Sequence, residues 1–215
     1  MHDFAVTPEF IKSGKFSKFG RISKMIQDIN HFDISRDVAK AITREASPEG
    51  IIAVVNIPKS TNETVSFNDK ILMLYRISDP GNLGTLLRTA RALGWNRVVL
   101  IDDCVDPFNP ETIRSSMGAS FKAKLHFIKS EELKNFIKSN EIKVVIADMT
   151  GEFQDVNNKI ARGPLGLLLG SEANGFNGFP REIYDSAPKI CIKMLSDADS
   201  LNIAVCGGIL MYNLR

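Results

Sequence analysis

Apolar runs and amphipathic stretches alternate regularly from about residue 70 to the end of the chain. Mainly apolar, strand-like runs fall at 71–75, 97–101, 123–128, 143–149, 165–169 and 190–194. Those at 143–149 and 165–169 have the apolar character typical of parallel strands buried on both faces. The spacing predicts helices at 82–93, from 109 to near 118, at 130–138, from 180 and from 200 onward. This alternation of strands and helices predicts an α/β fold, a parallel sheet with helices on both faces.

Several of the predicted helices carry start or stop residues. Asn82, Asn109, Ser130 and Ser200 each stand where a side-chain oxygen could cap the first turn. Gly94 follows the apolar stripe of the first of these helices and is placed to end it. In the last helix the pair Gly207-Gly208 would each cost roughly 1 kcal/mol against alanine, which predicts close packing of another backbone there.

Residues 1–56 are less regular, with a short helix predicted at 35–43 and a strand at 51–55. Residues 57–69 are polar and aperiodic, which predicts a linker and a domain boundary. Five basic residues recur at every third position near the start, namely Lys12, Lys15, Lys18, Arg21 and Lys24. They could form a solvated helix face, a phosphate-contacting strip, or part of a mitochondrial presequence.

Composition narrows the class of protein only moderately. The chain has 215 residues, 44% of them hydrophobic and 24% charged, which are ordinary values for a globular protein. The net charge is only +2, so any nucleic-acid surface must be local. No stretch approaches the roughly 18 apolar residues of a membrane span, and no signal peptide is visible. A soluble, cytoplasmic protein is expected, with a mitochondrial or other organellar location as the alternative.

No metal site is predicted. Cys104, Cys191 and Cys206 lack metal-ligand spacing, and the three histidines are isolated. Since Cys191 and Cys206 stand within apolar runs, we expect them to be buried as small hydrophobic residues.

Three short clusters carry the candidate chemistry. Residues 79–88 read DPGNLGTLLR, residues 169–176 read LGSEANGF, and residues 200–202 read SLN. The first two follow strand-like runs and the third opens the last helix, so they lie at strand ends, where open α/β sheets bind ligands. Gly81 and Gly84 are expected to let the backbone approach a ligand closely. Arg88, one turn into its helix, has the planar fork that suits phosphate oxygens.

Each cluster also has an ordinary structural explanation. The first could be a capped amphipathic helix with surface arginines, and the third a capped, buried helix. The second could be a simple turn, although a carboxylate, an amide and two glycines directly after a central strand favour a ligand loop. A GxGxxG dinucleotide motif and a P-loop are both absent.

Taken in order and spacing, the three clusters resemble motifs one, two and three of the SpoU/TrmH family of SPOUT RNA methyltransferases. The resemblance covers about residues 71–214, and residues 103–121 (DCVDPFNPETIRSSMGASF) resemble a segment of the family's ribosomal-RNA members. It implies a deep C-terminal trefoil knot, a homodimer, and methyl transfer from S-adenosylmethionine to a ribose 2′-hydroxyl of RNA. Ribosomal RNA is favoured over transfer RNA as the substrate. The alternatives are a tRNA ribose methyltransferase, a catalytically silent RNA-binding subunit, or an unrelated nucleotide-binding α/β module.

The resemblance also assigns residues. Catalytic positions fall on Asn82, Arg88, Glu172, Ser200 and Asn202. The S-adenosylmethionine pocket is expected to be lined by Thr150, Leu168, Leu169, Gly170, Ile192, Met194 and Leu201. RNA contacts are expected from Arg88, Arg91 and Arg114, and from Lys12, Lys15, Lys18, Arg21 and Lys24.

The role of Arg88 is open in this scheme. Arginine is often assigned as the base that removes the hydroxyl proton in the family. A guanidinium with a pKa above about 12 is effectively never deprotonated in proteins. Phosphate positioning and electrostatic stabilisation are therefore at least as good an assignment as proton abstraction.

Two features depart from the family pattern. Lys193 stands where many members have proline. The usual N-terminal RNA-binding domain, which resembles a ribosomal protein, is recognisable only at its end, around residues 34–55. We therefore expect a remnant of that domain at 1–56, a linker at 57–69 and the methyltransferase domain at 70–215.

Overall fold

The computed structural model describes residues 3–6, 31–58, 64–152, 163–195 and 200–214. The chain divides into two compact units, Met1–Pro58 and Lys59–Arg215, and the division falls inside the segment expected to be a linker. The basic residues at positions 12, 15, 18, 21 and 24 lie outside the described residues, so the structure says nothing of the surface expected there.

In the first unit, three strands form one sheet in the order β2-β1-β3, with β1 at Asp3–Val6, β2 at His31–Asp33 and β3 at Ile51–Val54. β1 runs parallel to β2 and antiparallel to β3. Helix α1, Arg36–Thr43, begins after Ser35, whose Oγ accepts a hydrogen bond from the Val38 N–H at 3.3 Å. The predicted helix and strand of this region are confirmed, with the strand one residue shorter than expected.

The second unit is a six-stranded sheet in the order β6-β5-β4-β8-β7-β9, and every pair in it is parallel. Its strands are β4 Lys70–Tyr75, β5 Arg97–Ile101, β6 Lys124–Ile128, β7 Lys143–Glu152, β8 Leu165–Leu169 and β9 Lys189–Ile190. Its α-helices are α2 Pro80–Ala92, α3 Pro110–Ser115, α4 Ser130–Ser139, α5 Arg181–Ser186 and α6 Ile203–Asn213, with a 3-10 turn at Ala119–Phe121. The predicted parallel α/β architecture is confirmed.

Apolar side chains cover both faces of this sheet. In β4, Leu72 and Leu74 pack with the leucines of α2 on one face, while Ile71, Met73 and Tyr75 pack with the cluster of α4 and α5 on the other. All five residues of β4 from position 71 onward are fully buried. A strand buried on both faces has no reason to alternate in polarity, which is why β4 is continuously apolar from position 71 to position 75.

Two helix starts differ from the sequence expectation. Asp79, rather than Asn82, caps α2, and its Oδ1 accepts from the Asn82 N–H at 2.6 Å. Asn202, rather than Ser200, caps α6, and its Oδ1 accepts from the Ala204 N–H at 2.9 Å. Because Asp79 supplies the cap, the Asn82 side chain is left to make contacts elsewhere.

Two further expectations were wrong in detail. Ser130 is the first residue of α4 and not its cap, and its N–H donates to Asp102 Oδ1 at 2.8 Å. The strand expected at 190–194 ends at Ile190. Ile190 pairs with both Ala147 and Glu152 across an irregularity in β7, so β7 bends around it instead of running on beside residues 191–194.

Gly81 and Gly84 were expected to let the backbone approach a ligand. Gly84 instead allows two helices to pack closely. A Cβ on Gly84 would lie 2.6 Å from the carbonyl oxygen of Thr112, so this glycine allows α2 and α3 to pack closely. In α6, a Cβ on Gly207 would lie 2.6 Å from Leu86 Cδ2 and 2.8 Å from Leu169 Cδ1. Gly207 thus packs against side chains and not against another backbone. Gly208 has room, since its nearest neighbour would be Thr89 Cγ2 at 3.5 Å.

This difference yields a matched prediction for α6. Gly207→Ala should destabilise the protein by about 1–3 kcal/mol, because the added methyl overpacks the contact with Leu86 and Leu169. Gly208→Ala should stabilise it by roughly 0.5–1 kcal/mol, because alanine is the better helix former and has space. Urea unfolding of both variants at one protein concentration measures the difference. Equal effects of the two substitutions would contradict the packing described here.

Candidate functional site

The three polar clusters meet at the carboxyl ends of β4 and β8. Asn202 Nδ2 donates to Asn82 Oδ1 at 2.8 Å, and Asn82 Nδ2 donates to Glu172 Oε1 at 3.1 Å. These hydrogen bonds join residues that are 120 and 90 positions apart in the sequence. One hydrogen-bonded chain, Asn202–Asn82–Glu172, therefore takes one residue from each cluster.

Local structure fixes each member of this chain. Asn82 stands in the first turn of α2, and Asn202 caps α6 with its own side-chain oxygen. Glu172 lies in a turn closed by two backbone hydrogen bonds between Ser171 and Gly175, at 2.9 and 2.8 Å. Gly175 has a φ of +52°, a conformation that glycine adopts readily.

A cavity of about 670 Å³ lies beside the hydrogen-bonded chain. Five residues expected to hold the cofactor line it, namely Leu169, Gly170, Ile192, Met194 and Leu201. Glu172 and Ser200, expected to be catalytic, line it as well. The side chains of Ile190 and Ile203 extend its apolar wall.

Two of the expected cofactor residues do not line this cavity. The Leu168 side chain is fully buried in the core, on the sheet face that also holds Ile71 and Met73. Strand residues alternate between faces, so Leu168 points away from the face of Leu169. Thr150 is exposed, and its hydroxyl donates to Asp148 Oδ1 at 2.6 Å.

The arginines expected to act on RNA stand outside the cavity. Arg88 and Arg91 are exposed on α2, away from the buried leucines of that helix, and Arg114 is exposed on α3. None of the three lines the cavity. They are therefore placed to meet a ligand approaching from solvent and not one enclosed by the cavity walls.

Sequence reasoning missed an acidic residue in the cavity wall. Asp148 lines the cavity and accepts a hydrogen bond from the Tyr184 hydroxyl at 2.6 Å. Its position inside the strand predicted at 143–149 was a weak signal, because a single acid in an otherwise mainly apolar strand has no accompanying pattern. Tyr184 comes from α5, thirty-six residues further along the chain, and only the fold brings the two together.

The cysteines are less buried than expected. Cys191 and Cys206 are half-buried and both line the cavity. Burial still raises the pKa of the Cys206 thiol, so it is neutral at physiological pH. They contribute to the apolar character of the cavity wall.

Within the described part of the chain, no cluster of three or more His, Cys, Asp or Glu residues could hold a metal ion. The helices described there are also too short or too polar to cross a membrane.

The second unit matches a known family model. Residues 69–212 match the model of the SpoU rRNA Methylase family. The chain is 31% identical over 189 residues to the 23S rRNA (guanosine(2553)-2'-O)-methyltransferase RlmP of Bacillus subtilis, covering 87% of this chain and 73% of that protein. It is 27% identical over 240 residues to the mitochondrial rRNA methyltransferase 3 of Mus musculus, covering 87% of this chain and 57% of that protein.

A solved structure shares the fold. The SpoU methyltransferase AviRb from Streptomyces viridochromogenes, in complex with the cofactor AdoMet, superposes with a TM-score of 0.81 at 21% identity. The superposition covers 99% of this chain and 81% of that one. Since the family model spans most of the second unit and the three clusters converge as the resemblance implied, the chain belongs to the SpoU rRNA methylase family.

Proposed function

We propose that this protein transfers a methyl group from S-adenosylmethionine to a ribose 2′-hydroxyl of RNA, with ribosomal RNA as the favoured substrate. The observation that carries the proposal is the chain Asn202–Asn82–Glu172 at the rim of a cavity of about 670 Å³. The names of the relatives from Bacillus subtilis and Mus musculus support ribosomal RNA over transfer RNA.

The cavity suits the proposed cofactor. Its volume is within the range of about 300–1,000 Å³ typical of small-molecule sites. Leu169, Ile192 and Leu201 offer apolar walls for a purine ring, and Gly170 adds no side chain at the strand end. Met194 completes the set that would hold the cofactor. When bound, S-adenosylmethionine supplies an electrophilic methyl group carried on a positively charged sulfur.

The polar chain at the rim would orient the ribose. Glu172 and Asn82 offer a carboxylate and an amide that can hydrogen-bond a ribose hydroxyl, and Asn202 holds Asn82 in place. A ribose hydroxyl is a poor nucleophile until its proton leaves or its developing negative charge is stabilised. Arg88, exposed on α2, would supply positive charge to a substrate phosphate and to that developing anion.

The alternatives predict different outcomes in one experiment. Ribose methylation would be mapped across total RNA from cells with and without this protein. The proposal predicts loss of 2′-O-methylation at a ribosomal RNA position. Loss confined to transfer RNA would favour a tRNA ribose methyltransferase, and no loss anywhere would favour a silent RNA-binding subunit.

We propose that the protein is a homodimer that uses one face of α6. Val205, Ile209 and Tyr212 are 50%, 38% and 53% exposed, and their spacing of four and three places them on one helix face. An exposed apolar stripe of this kind favours association, and two-fold dimers are the commonest closed assembly.

The double variant Val205→Glu and Ile209→Glu should therefore be monomeric at micromolar concentration. Two carboxylates in an apolar interface would be desolvated without partners, which is costly. Light scattering measures the mass. As a control, Ile42→Glu changes an isoleucine that is 55% exposed in the first unit and should leave the dimer intact. A monomeric wild-type protein would contradict the proposal.

We also propose that the second unit contains a trefoil knot. Two segments of this unit lie outside the described residues. They are residues 153–162, between β7 and β8, and residues 196–199, ahead of α6. Family membership supports a knot in the C-terminal portion of the second unit.

We further propose that the first unit, with the basic residues Lys12, Lys15, Lys18, Arg21 and Lys24, binds RNA phosphates. Each phosphate neutralised steepens the dependence of log affinity on log salt by roughly 0.7–0.9. Replacing all five residues with glutamine should flatten that slope by several units in filter-binding titrations against salt. An unchanged slope would instead assign RNA binding to the second unit or to a partner protein.

For the compartment, we propose the cytoplasm, on the basis of the bacterial relative. The relative from mouse mitochondria supports the organelle as the alternative. Imaging of a fluorescent fusion in the source cell would decide between them.

A further inference from the structure

Asp148 presents a fixed carboxylate to the cavity. It stands in β7, is half-buried and lines the cavity wall. Its Oδ1 accepts from the Thr150 N–H at 2.8 Å and the Thr150 hydroxyl at 2.6 Å, while its Oδ2 accepts from the Tyr184 hydroxyl at 2.6 Å. Both oxygens are therefore held in position before any ligand binds.

The surroundings keep this carboxylate ionised. Burial alone would raise the pKa of Asp148, but the hydrogen bonds from Thr150 and Tyr184, with the charge of Lys189, outweigh it and lower the pKa. Lys189 is held by Tyr184, to whose carbonyl oxygen its Nζ donates at 2.9 Å. Among the described residues, no lysine or arginine lies within ion-pair distance of Asp148.

The other charged groups of the cavity wall have different surroundings. Glu172 is exposed and bound to the Asn82 amide, and Lys193 is exposed. Among the wall residues that the structure describes, Asp148 is thus the half-buried, rigidly held anion. A negative charge fixed in a partly desolvated site favours a cationic ligand over a neutral ligand of the same shape.

We propose that Asp148 selects the positively charged methyl donor over the neutral product. This inference rests on the proposed function. S-adenosylmethionine carries a sulfonium, and loss of the methyl group leaves S-adenosylhomocysteine with a neutral thioether. The two ligands share every other group, so a fixed anion in the wall strengthens binding of the donor and lets the product leave.

The test compares three ligands by isothermal titration calorimetry. These are S-adenosylmethionine, S-adenosylhomocysteine and sinefungin, which has a protonated amine in place of the sulfonium methyl. Asp148→Asn removes the charge and keeps the shape of the side chain: its Oδ1 can still accept from Thr150, and its Nδ2 can donate to the Tyr184 oxygen in place of the lost acceptor. It should weaken binding of both cationic ligands about tenfold, equivalent to about 1.4 kcal/mol, and change the affinity for S-adenosylhomocysteine less than twofold.

Three further variants test whether the charge of Asp148, and not its shape or a nearby carboxylate, causes the effect. Asp148→Ser removes the charge with a smaller side chain and should give the same selective loss. Tyr184→Phe removes one hydrogen bond but leaves the charge, so the preference for cationic ligands should persist. Asp185→Asn removes a neighbouring exposed carboxylate that does not line the cavity, and all three affinities should stay unchanged.

The outcomes separate this inference from the proposed function. An equal loss for all three ligands would show that Asp148 holds a group common to them, and no loss would show that it has no role in binding. Either result overturns the inference while leaving the proposed function standing. If the wild-type protein bound none of the three ligands, the proposed function itself would be wrong.

Discussion

Replacing Arg88 with alanine is expected to lower kcat for methyl transfer by about 10²–10³, the usual cost of losing one electrostatic partner of a transition state. The Kd for S-adenosylmethionine should stay nearly unchanged, because Arg88 is exposed on α2 and does not line the cavity. Single-turnover kinetics on ribosomal RNA and calorimetry with the cofactor measure the two quantities separately.

A conservative variant sharpens this prediction. Arg88→Lys should also be poor, because a compact ammonium cannot replace the two-pronged geometry of a guanidinium. Arg91→Ala provides a comparison, since it removes another exposed arginine three residues further along α2. Near-normal turnover by Arg88→Ala would remove Arg88 from the catalytic residues.

Gly170→Val is expected to remove most S-adenosylmethionine binding without unfolding the protein. A Cβ at this position would lie 2.7 Å from the Gly175 carbonyl oxygen and 3.1 Å from a ring carbon of Phe176. The side chain would thus displace the loop that carries Glu172 as well as enter the cavity. Because the valine side chain takes up space in the cavity and shifts one of its walls, affinity should fall at least tenfold, equivalent to about 1.4 kcal/mol.

The loop near Gly170 is at the surface, which is why the fold should survive the substitution. Residues 172–175 are exposed, so the turn can shift without disturbing the core. Gly208→Ala is the matched control, because a Cβ there meets no atom closer than 3.5 Å. Thermal unfolding should stay cooperative for both variants. Wild-type affinity in Gly170→Val would place the cofactor elsewhere.

Much of the second unit could be predicted because its strands are buried on both faces. Such strands read as mainly apolar runs, and the runs at 97–101 and 165–169 correspond to β5 and β8 without any shift of boundary. The convergence of the three clusters followed from the same reasoning, since parallel strands bring their carboxyl ends to one edge of the sheet. The contact between Asn82 and Glu172 is its direct result.

Other features depended on contacts that a sequence pattern does not contain. Both Asp79 and Asn82 can cap a helix, and only the structure shows that Asp79 does so. Gly84 has the same appearance in the sequence as a glycine at a ligand site, yet its neighbour is α3. The run 190–194 is apolar enough for a strand, but the bend of β7 at Ile190 leaves it without a partner to pair with.

The most direct test of the central claim is the identity of the methylated nucleoside. Purified protein would be incubated with ribosomal RNA and isotopically labelled S-adenosylmethionine, and the RNA digested to nucleosides for mass spectrometry. Asn82→Ala serves as the matched negative, because it removes the middle of the Asn202–Asn82–Glu172 chain. The account predicts label in a 2′-O-methylnucleoside with the wild-type protein and little or none with the variant. Label on a base, or equal 2′-O-methylation by both proteins, would contradict it.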